Sequence, residues 1–144
     1  MPKRFKIFLD SSALISGLNS PSGAAGIILS AFQAGDFFIY LSGQVFEEVH
    51  RNIQIKFPLL KERFLIFLIA QPKIITNPSL REIKKAESLI HSDDAPILAA
   101  AIKEKPDFLI TWDKKHFLKK EVISNVSFII CTPKEFLQKF WKRK

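Results

Sequence analysis

A short apolar run ending in aspartate occurs twice, near opposite ends of the chain. Phe5 to Leu9 is apolar except for Lys6 and runs into Asp10-Ser11-Ser12; Phe108-Leu109-Ile110-Thr111-Trp112-Asp113 has the same pattern. Runs of this length, rich in β-forming residues, predict buried strands. In an open parallel α/β sheet, ligands gather beyond the carboxyl ends of the strands. Both aspartates are therefore expected at that edge, close in space though remote in sequence.

The intervening segments fit the same plan. A loop is expected after Asp10, then a small-residue helix opened by Ser22-Gly23-Ala24-Ala25 and ending about Ala34, with Gly35 as its C-cap. Phe37 to Leu41 predicts a second strand, and Ser42 caps a helix through Ile53. Pro58 starts a helix to about Ala70, and Pro72 to Thr76 predicts a short edge strand. Asn77-Pro78-Ser79 breaks the chain, and Ser79 caps a helix to Ile90. His91-Ser92-Asp93-Asp94-Ala95-Pro96 opens a helix ending near Glu104, its N-cap left open because Pro96 turns Ala95 from helical angles. After the strand Phe108 to Thr111 come a helical turn Lys114 to Leu118, a charged loop holding Glu121 and a last strand Val126 to Cys131. Thr132-Pro133-Lys134-Glu135 is a capping box that starts a helix to about Trp141. Strands alternating with helices predict an α/β fold, a mostly parallel sheet covered on both faces.

The chain has 144 residues, 47% hydrophobic with 14 Phe, which suits one domain with one core. No apolar run nears the ~20 residues of a membrane span; the greasiest, Phe64 to Ala70, predicts a core helix or an interface. Met1-Pro2-Lys3-Arg4 leads straight into the first strand without room for a signal peptide, and the single Cys131 fits a reducing cytoplasm. The net charge of +8 favours a polyanionic partner, nucleic acid foremost, over a merely solubilising surface. Lys114, Lys115, Lys119 and Lys120 follow Asp113, and Lys139, Lys142, Arg143 and Lys144 crowd the end.

Most of the 14 acids have ordinary helix, cap or loop roles. Six remain: Asp10, Glu47, Glu48, Asp93, Asp94 and Asp113. At ~100° per residue, Glu48 lies beside the stripe Val45, Phe46, Val49 and Ile53, while Glu47 points outward. Asp94 lies in line with Ile97, Leu98, Ala101 and Ile102, with Asp93 turned away. Each acid also has a structural reading: a turn residue at Asp10, an Arg51 partner at Glu48, a dipole acid at Asp94, a helix cap at Asp113. One shared cleft accounts for all four together. Converging carboxylates repel, and a divalent cation removes that cost. Oxygen ligands suit Mg²⁺ or Mn²⁺ over Zn²⁺; zinc is disfavoured further by the lone Cys131 and by His50, His91 and His116, which show no ligand spacing. Such a cation ringed by lysines suggests phosphodiester hydrolysis.

These residues resemble the PIN domain, a family of small metal-dependent ribonucleases, from about Phe5 to Leu137. Its motifs are matched by Phe8-Leu9-Asp10-Ser11-Ser12, by Phe46-Glu47-Glu48-Val49, by Asp94-Ala95-Pro96-Ile97-Leu98 and by Leu109-Ile110-Thr111-Trp112-Asp113. The resemblance implies a three-layer α/β/α sandwich with a five-stranded sheet of order 3-2-1-4-5. It implies a Mg²⁺- or Mn²⁺-dependent endoribonuclease acting on single-stranded RNA. Asp10, Glu48, Asp94 and Asp113 would be metal-holding and catalytic, Ser12 and Thr111 would support them, and Lys114, Lys115, Lys119 and Lys120 would grip RNA. Many relatives are toxins with a cognate antitoxin, and many form homodimers. Relatives often carry a further acid where this chain has His116, which leaves Asp113 to serve that part of the site alone.

The competing reading is a non-catalytic PIN-fold module that binds nucleic acid or protein; the presence of all four acids counts against it. A phosphoacceptor domain would want paired acids after the first strand and a late-strand Lys. A dinucleotide-binding domain would want Gly-x-Gly-x-x-Gly, and neither signature is present. Trp112 reads as a base-stacking residue or, more simply, as a core or interface residue.

Overall fold

The computed structural model describes residues 4–141; the basic residues Lys142, Arg143 and Lys144 lie outside them. The chain runs β1 (Lys6–Leu9), α1 (Ser11–Asn19), α2 (Ala24–Gln33), β2 (Phe38–Ser42) and α3 (Gly43–Ile55). A 3-10 turn, Pro58–Leu60, leads into α4 (Lys61–Ile69), then β3 (Lys73–Ile75), α5 (Leu80–Ala86) and α6 (Ala95–Glu104). The last part is β4 (Phe108–Ile110), α7 (Lys114–Phe117), α8 (Lys120–Ile123), β5 (Ile129–Cys131) and α9 (Pro133–Glu135), which continues as a π-helical turn, Phe136–Phe140.

The five strands form one sheet of order β3-β2-β1-β4-β5, as expected, and every pairing is parallel. Ile7, Phe8 and Leu9 in the central strand are all buried, so helices cover the sheet on both faces in a three-layer sandwich. Ile7 pairs with Phe108 and Leu9 with Ile110. The register carries one step past the strands, where the Asp10 amide donates to the Ile110 carbonyl at 3.3 Å. That places Asp10 beside Thr111 at the carboxyl edge, at the switch between strands running outward on either side.

Several local expectations are corrected. No loop follows Asp10: α1 begins at once, with Asp10 as its N-cap. Ala13, Leu14, Gly17 and Leu18 form its buried stripe. Gly17 lets α1 approach α2 closely: a Cβ would stand 2.7 Å from Leu29 Cδ1 and 3.0 Å from the Ala25 carbonyl oxygen. α5 stops at Ala86 rather than Ile90, and the Ser88 hydroxyl donates to the Lys85 carbonyl at 2.7 Å, taking an acceptor from the helix end. The region of Glu121 is a helical turn rather than a loop, closed by the Ser124 hydroxyl on the Lys120 carbonyl at 2.7 Å. β5 starts at Ile129, not Val126, because Phe108, the first residue of β4, pairs with Ile129. In the last helix the Trp141 amide bonds the Phe136 carbonyl at 3.0 Å. This wider turn accompanies edge-on packing of Phe136 on Phe108 and of Trp141 on Phe37, at 5.0 and 5.6 Å.

α4 is half core and half surface. Phe64 and Phe67 are buried, whereas Leu65, Ile66 and Ile69 are exposed. No helix among the described residues is long and apolar enough to cross a membrane.

Candidate metal centre

Asp10 is fixed from three directions. Its Oδ1 accepts the Ala13 amide at 2.9 Å and the Ser12 hydroxyl at 2.8 Å, and its Oδ2 accepts the Thr111 hydroxyl in a short bond. Only 5% of the residue is exposed. Burial pushes the carboxyl above its ordinary value; the three donated bonds oppose the rise and the nearby Asp113 charge adds to it. The acid is thus rigidly placed and electrostatically costly.

The two supporting hydroxyls also join the strand ends. Thr111 Oγ1 accepts the Asp113 amide at 2.9 Å, and Ser12 Oγ accepts the Trp112 amide at 3.2 Å. Each hydroxyl donates to Asp10 and accepts from the Trp112–Asp113 backbone, which locks the segment after β4 against the start of α1. The sequence points to both residues; the bonds from Thr111 to Asp10 and from Trp112 to Ser12, between segments remote in sequence, come only from the folded arrangement.

Asp94 is the N-cap residue of α6 without a side-chain capping bond, its side chain 20% exposed. Asp93 points into solvent, with its side chain 89% exposed. Burial raises the Asp94 carboxyl above its ordinary value, Asp113 adds to the rise, and His116 and His91 oppose it. Asp113 caps α7 by accepting the His116 amide on Oδ1 at 3.1 Å. On α3, Glu48 accepts the Ser11 hydroxyl at 2.6 Å and the Gln44 amide group at 3.2 Å, while Glu47 is exposed. The phasing of α3 therefore turns Glu48 toward the residue that follows Asp10.

Two of the four sequence-selected acids meet directly. Among the described residues, the group whose donor atoms all lie within 4.8 Å of one another is Asp94, Asp113 and His116. His116 Nδ1 is 2.9 Å from Asp113 Oδ2 and 3.3 Å from Asp94 Oδ2. Asp10 joins this trio through Thr111 and the charge of Asp113; Glu48 approaches through Ser11. Carboxylates at close range repel, and here each takes its own donor. The reading of His116 as a residue without ligand spacing is corrected. Asp113-x-x-His116 is an i, i+3 pair, which puts both side chains on one face of a helical turn. That spacing was the signal for it.

A set of carboxylates with one imidazole suits a divalent cation. Lys114, Lys115, Lys119 and Lys120 are exposed around α7 and α8. Trp112 is 39% exposed beside Asp113, so the core reading of this residue is set aside.

Comparison with known proteins agrees with this architecture. VapBC2 from Rickettsia felis, solved bound to a DNA fragment from its promoter, is similar over 88% of this chain and 98% of that chain, with a TM-score of 0.64 and 17% identity. PAE2754 from Pyrobaculum aerophilum is similar over 88% of this chain and 83% of that chain, with a TM-score of 0.58 and 15% identity. At these identities the likeness is one of fold. No curated protein matches the sequence significantly. The family profile of the PIN domain matches residues 6–115, from the first strand to the start of α7. With both aspartate-bearing strands inside the matched span and the sheet in the 3-2-1-4-5 order, this chain belongs to the PIN domain family.

Proposed function

We propose that the protein is a metal-dependent endoribonuclease that hydrolyses phosphodiester bonds of single-stranded RNA. PIN domains are generally nucleases, and PIN nucleases typically use divalent metals. The observation that carries the reading is the meeting of Asp94, Asp113 and His116, with donor atoms within 4.8 Å of one another, beside the buried Asp10 at the carboxyl edge of the sheet. Buried acids gathered with such partners, rather than dispersed, are candidates for a functional site, and carboxylates with one imidazole suit a divalent cation.

In this reading Asp94 and Asp113 would hold Mg²⁺ or Mn²⁺, and Asp10 and Glu48, which lie outside that pair's immediate group, would complete its coordination or orient the attacking water. When bound, the ion supplies an activated water and neutralises charge building on the phosphate. Ser12 and Thr111 keep Asp10 in one rotamer, so its charge is in place before substrate arrives. Lys114, Lys115, Lys119 and Lys120 draw the phosphate backbone, an attraction that salt weakens steeply. Trp112 offers a face on which an unpaired base stacks.

The whole chain acts as one domain in the cytoplasm. The exposed apolar residues of α4 suit a protein partner, a cognate antitoxin or a second copy, in keeping with a toxin of a toxin–antitoxin pair. The test is incubation with an RNA pool, with Mn²⁺ or with a chelator. Cleavage that requires Mn²⁺ and is lost in Asp10→Asn supports the reading. Cleavage that persists in chelator overturns the metal-dependent mechanism, and no cleavage overturns the reading in favour of a binding module.

A further inference from the structure

We infer that His116 supplies a nitrogen donor to the metal held by Asp94 and Asp113, so that the site selects Mn²⁺ over Mg²⁺. The inference rests on the metal centre proposed above and adds the identity of a ligand and its consequence for metal choice.

The geometry is that of neighbouring ligands on one ion. Donors at adjacent octahedral positions with bonds of about 2.1 Å stand about 3.0 Å apart, the bond length times √2. The distances from His116 Nδ1 to Asp113 Oδ2 and Asp94 Oδ2, 2.9 and 3.3 Å, bracket that value. The ring is well directed. Asp113 Oδ1 is occupied by the His116 amide, which leaves Oδ2 to face Nδ1. The His91 ring is tilted 38° to that of His116 at a centroid distance of 6.1 Å. The three side chains are 20%, 29% and 34% exposed, sheltered from bulk solvent yet open to an entering ion. With the ring proton on Nδ1 the 2.9 Å contact is a hydrogen bond donated to Asp113 Oδ2; with the proton on Nε2 the same geometry presents the Nδ1 lone pair to the space between the two carboxylates, the form that binds an ion.

A nitrogen in this position changes which ion fits. Mg²⁺ is a hard cation that keeps oxygen ligands and its own water, whereas imidazole suits transition-series ions. Replacing the imidazole by carboxylate restores an all-oxygen set and erases the preference. The simpler role for His116 is a counter-charge that steadies Asp94 and Asp113 without touching the ion, and the test separates the two.

Protein loaded with Mn²⁺ is studied by electron spin-echo envelope modulation. The wild type shows imidazole ¹⁴N coupling, His116→Asp loses it, and His91→Asn keeps it. Calorimetry with Mn²⁺ and Mg²⁺ gives the ratio of affinities, which drops in His116→Asp by roughly ten- to a hundredfold, the scale of losing a partner that supports a metal. Bound Mn²⁺ without nitrogen coupling in the wild type overturns the inference and leaves the metal centre standing. Absence of any Mn²⁺ binding overturns both.

Discussion

Two sets of acids sit at helix N-termini in this molecule and titrate in opposite directions. Glu82 and Glu135 close capping boxes with Ser79 and Thr132, and bonds from those backbone amides hold their carboxyls below the ordinary range. Asp10 and Asp94 are also N-cap residues, yet burial raises both. Asp10 accepts three hydrogen bonds and is still raised, because its desolvation exceeds what those bonds return. The capping acids stabilise the fold where they stand. The buried acids Asp10 and Asp94 burden it, a cost that the cation proposed above would offset.

The strongest way to break this contrast is Asp10→Asn. RNA cleavage should fall by at least about 10²–10³-fold, the scale of losing one preorganised electrostatic group. The unfolding midpoint in chelator should hold or rise. A large fall in that midpoint makes Asp10 a structural acid like Glu135. Next comes the ion itself. At a hundred times its Kd, Mn²⁺ should stabilise the fold by about 2.7 kcal/mol in denaturant titrations, and a midpoint indifferent to Mn²⁺ removes the contrast. Thr132→Ala should cost about 1 kcal/mol of stability, the usual loss for a helix cap, with Mn²⁺ affinity unchanged by calorimetry.

The pH dependence sharpens the comparison through opposite signs. In chelator, the raised carboxyls of Asp10 and Asp94 favour the folded state most below their ordinary value of 3.8, and that contribution is lost as pH rises through their raised values. The lowered carboxyls of Glu82 and Glu135 stabilise above their ordinary value of 4.5, and that contribution is lost as pH falls through their lowered values. Asp94→Asn should therefore flatten the decline with rising pH, and Glu135→Gln should flatten the decline with falling pH. The smallest effect belongs to Glu47→Gln, within about 0.5 kcal/mol for an exposed site and without change in cleavage. Glu48→Gln, which weakens the link to Ser11, should impair cleavage; the reverse ranking breaks the assignment of faces on α3.

Elements whose signals are local were legible in the sequence. Strand runs, the capping boxes at Ser79 and Thr132, and the outward phase of Glu47 follow from chemistry within a few residues. The α1 helix was missed because its Ser-rich start and Gly17 lower helix propensity. The close approach of α2, at Leu29 and the Ala25 carbonyl, accounts for a small residue there. His116 has no other histidine at ligand spacing; its partners are carboxylates. One of those, Asp94, reaches it only through the fold.

The alternation of strand and helix, and the ending of two apolar runs in Asp10 and near Asp113, lie in the order of residues. Backbone preference and hydrophobic period act over short distances, so they can be read without coordinates. The company each acid keeps was decided in three dimensions. Parallel pairing of β1 with β4 brings Thr111 to Asp10, and the α6 and α7 termini bring His116 between two carboxylates. Ionisation and ligand character depend on burial and on neighbours a few ångströms away, and those neighbours come from distant parts of the chain.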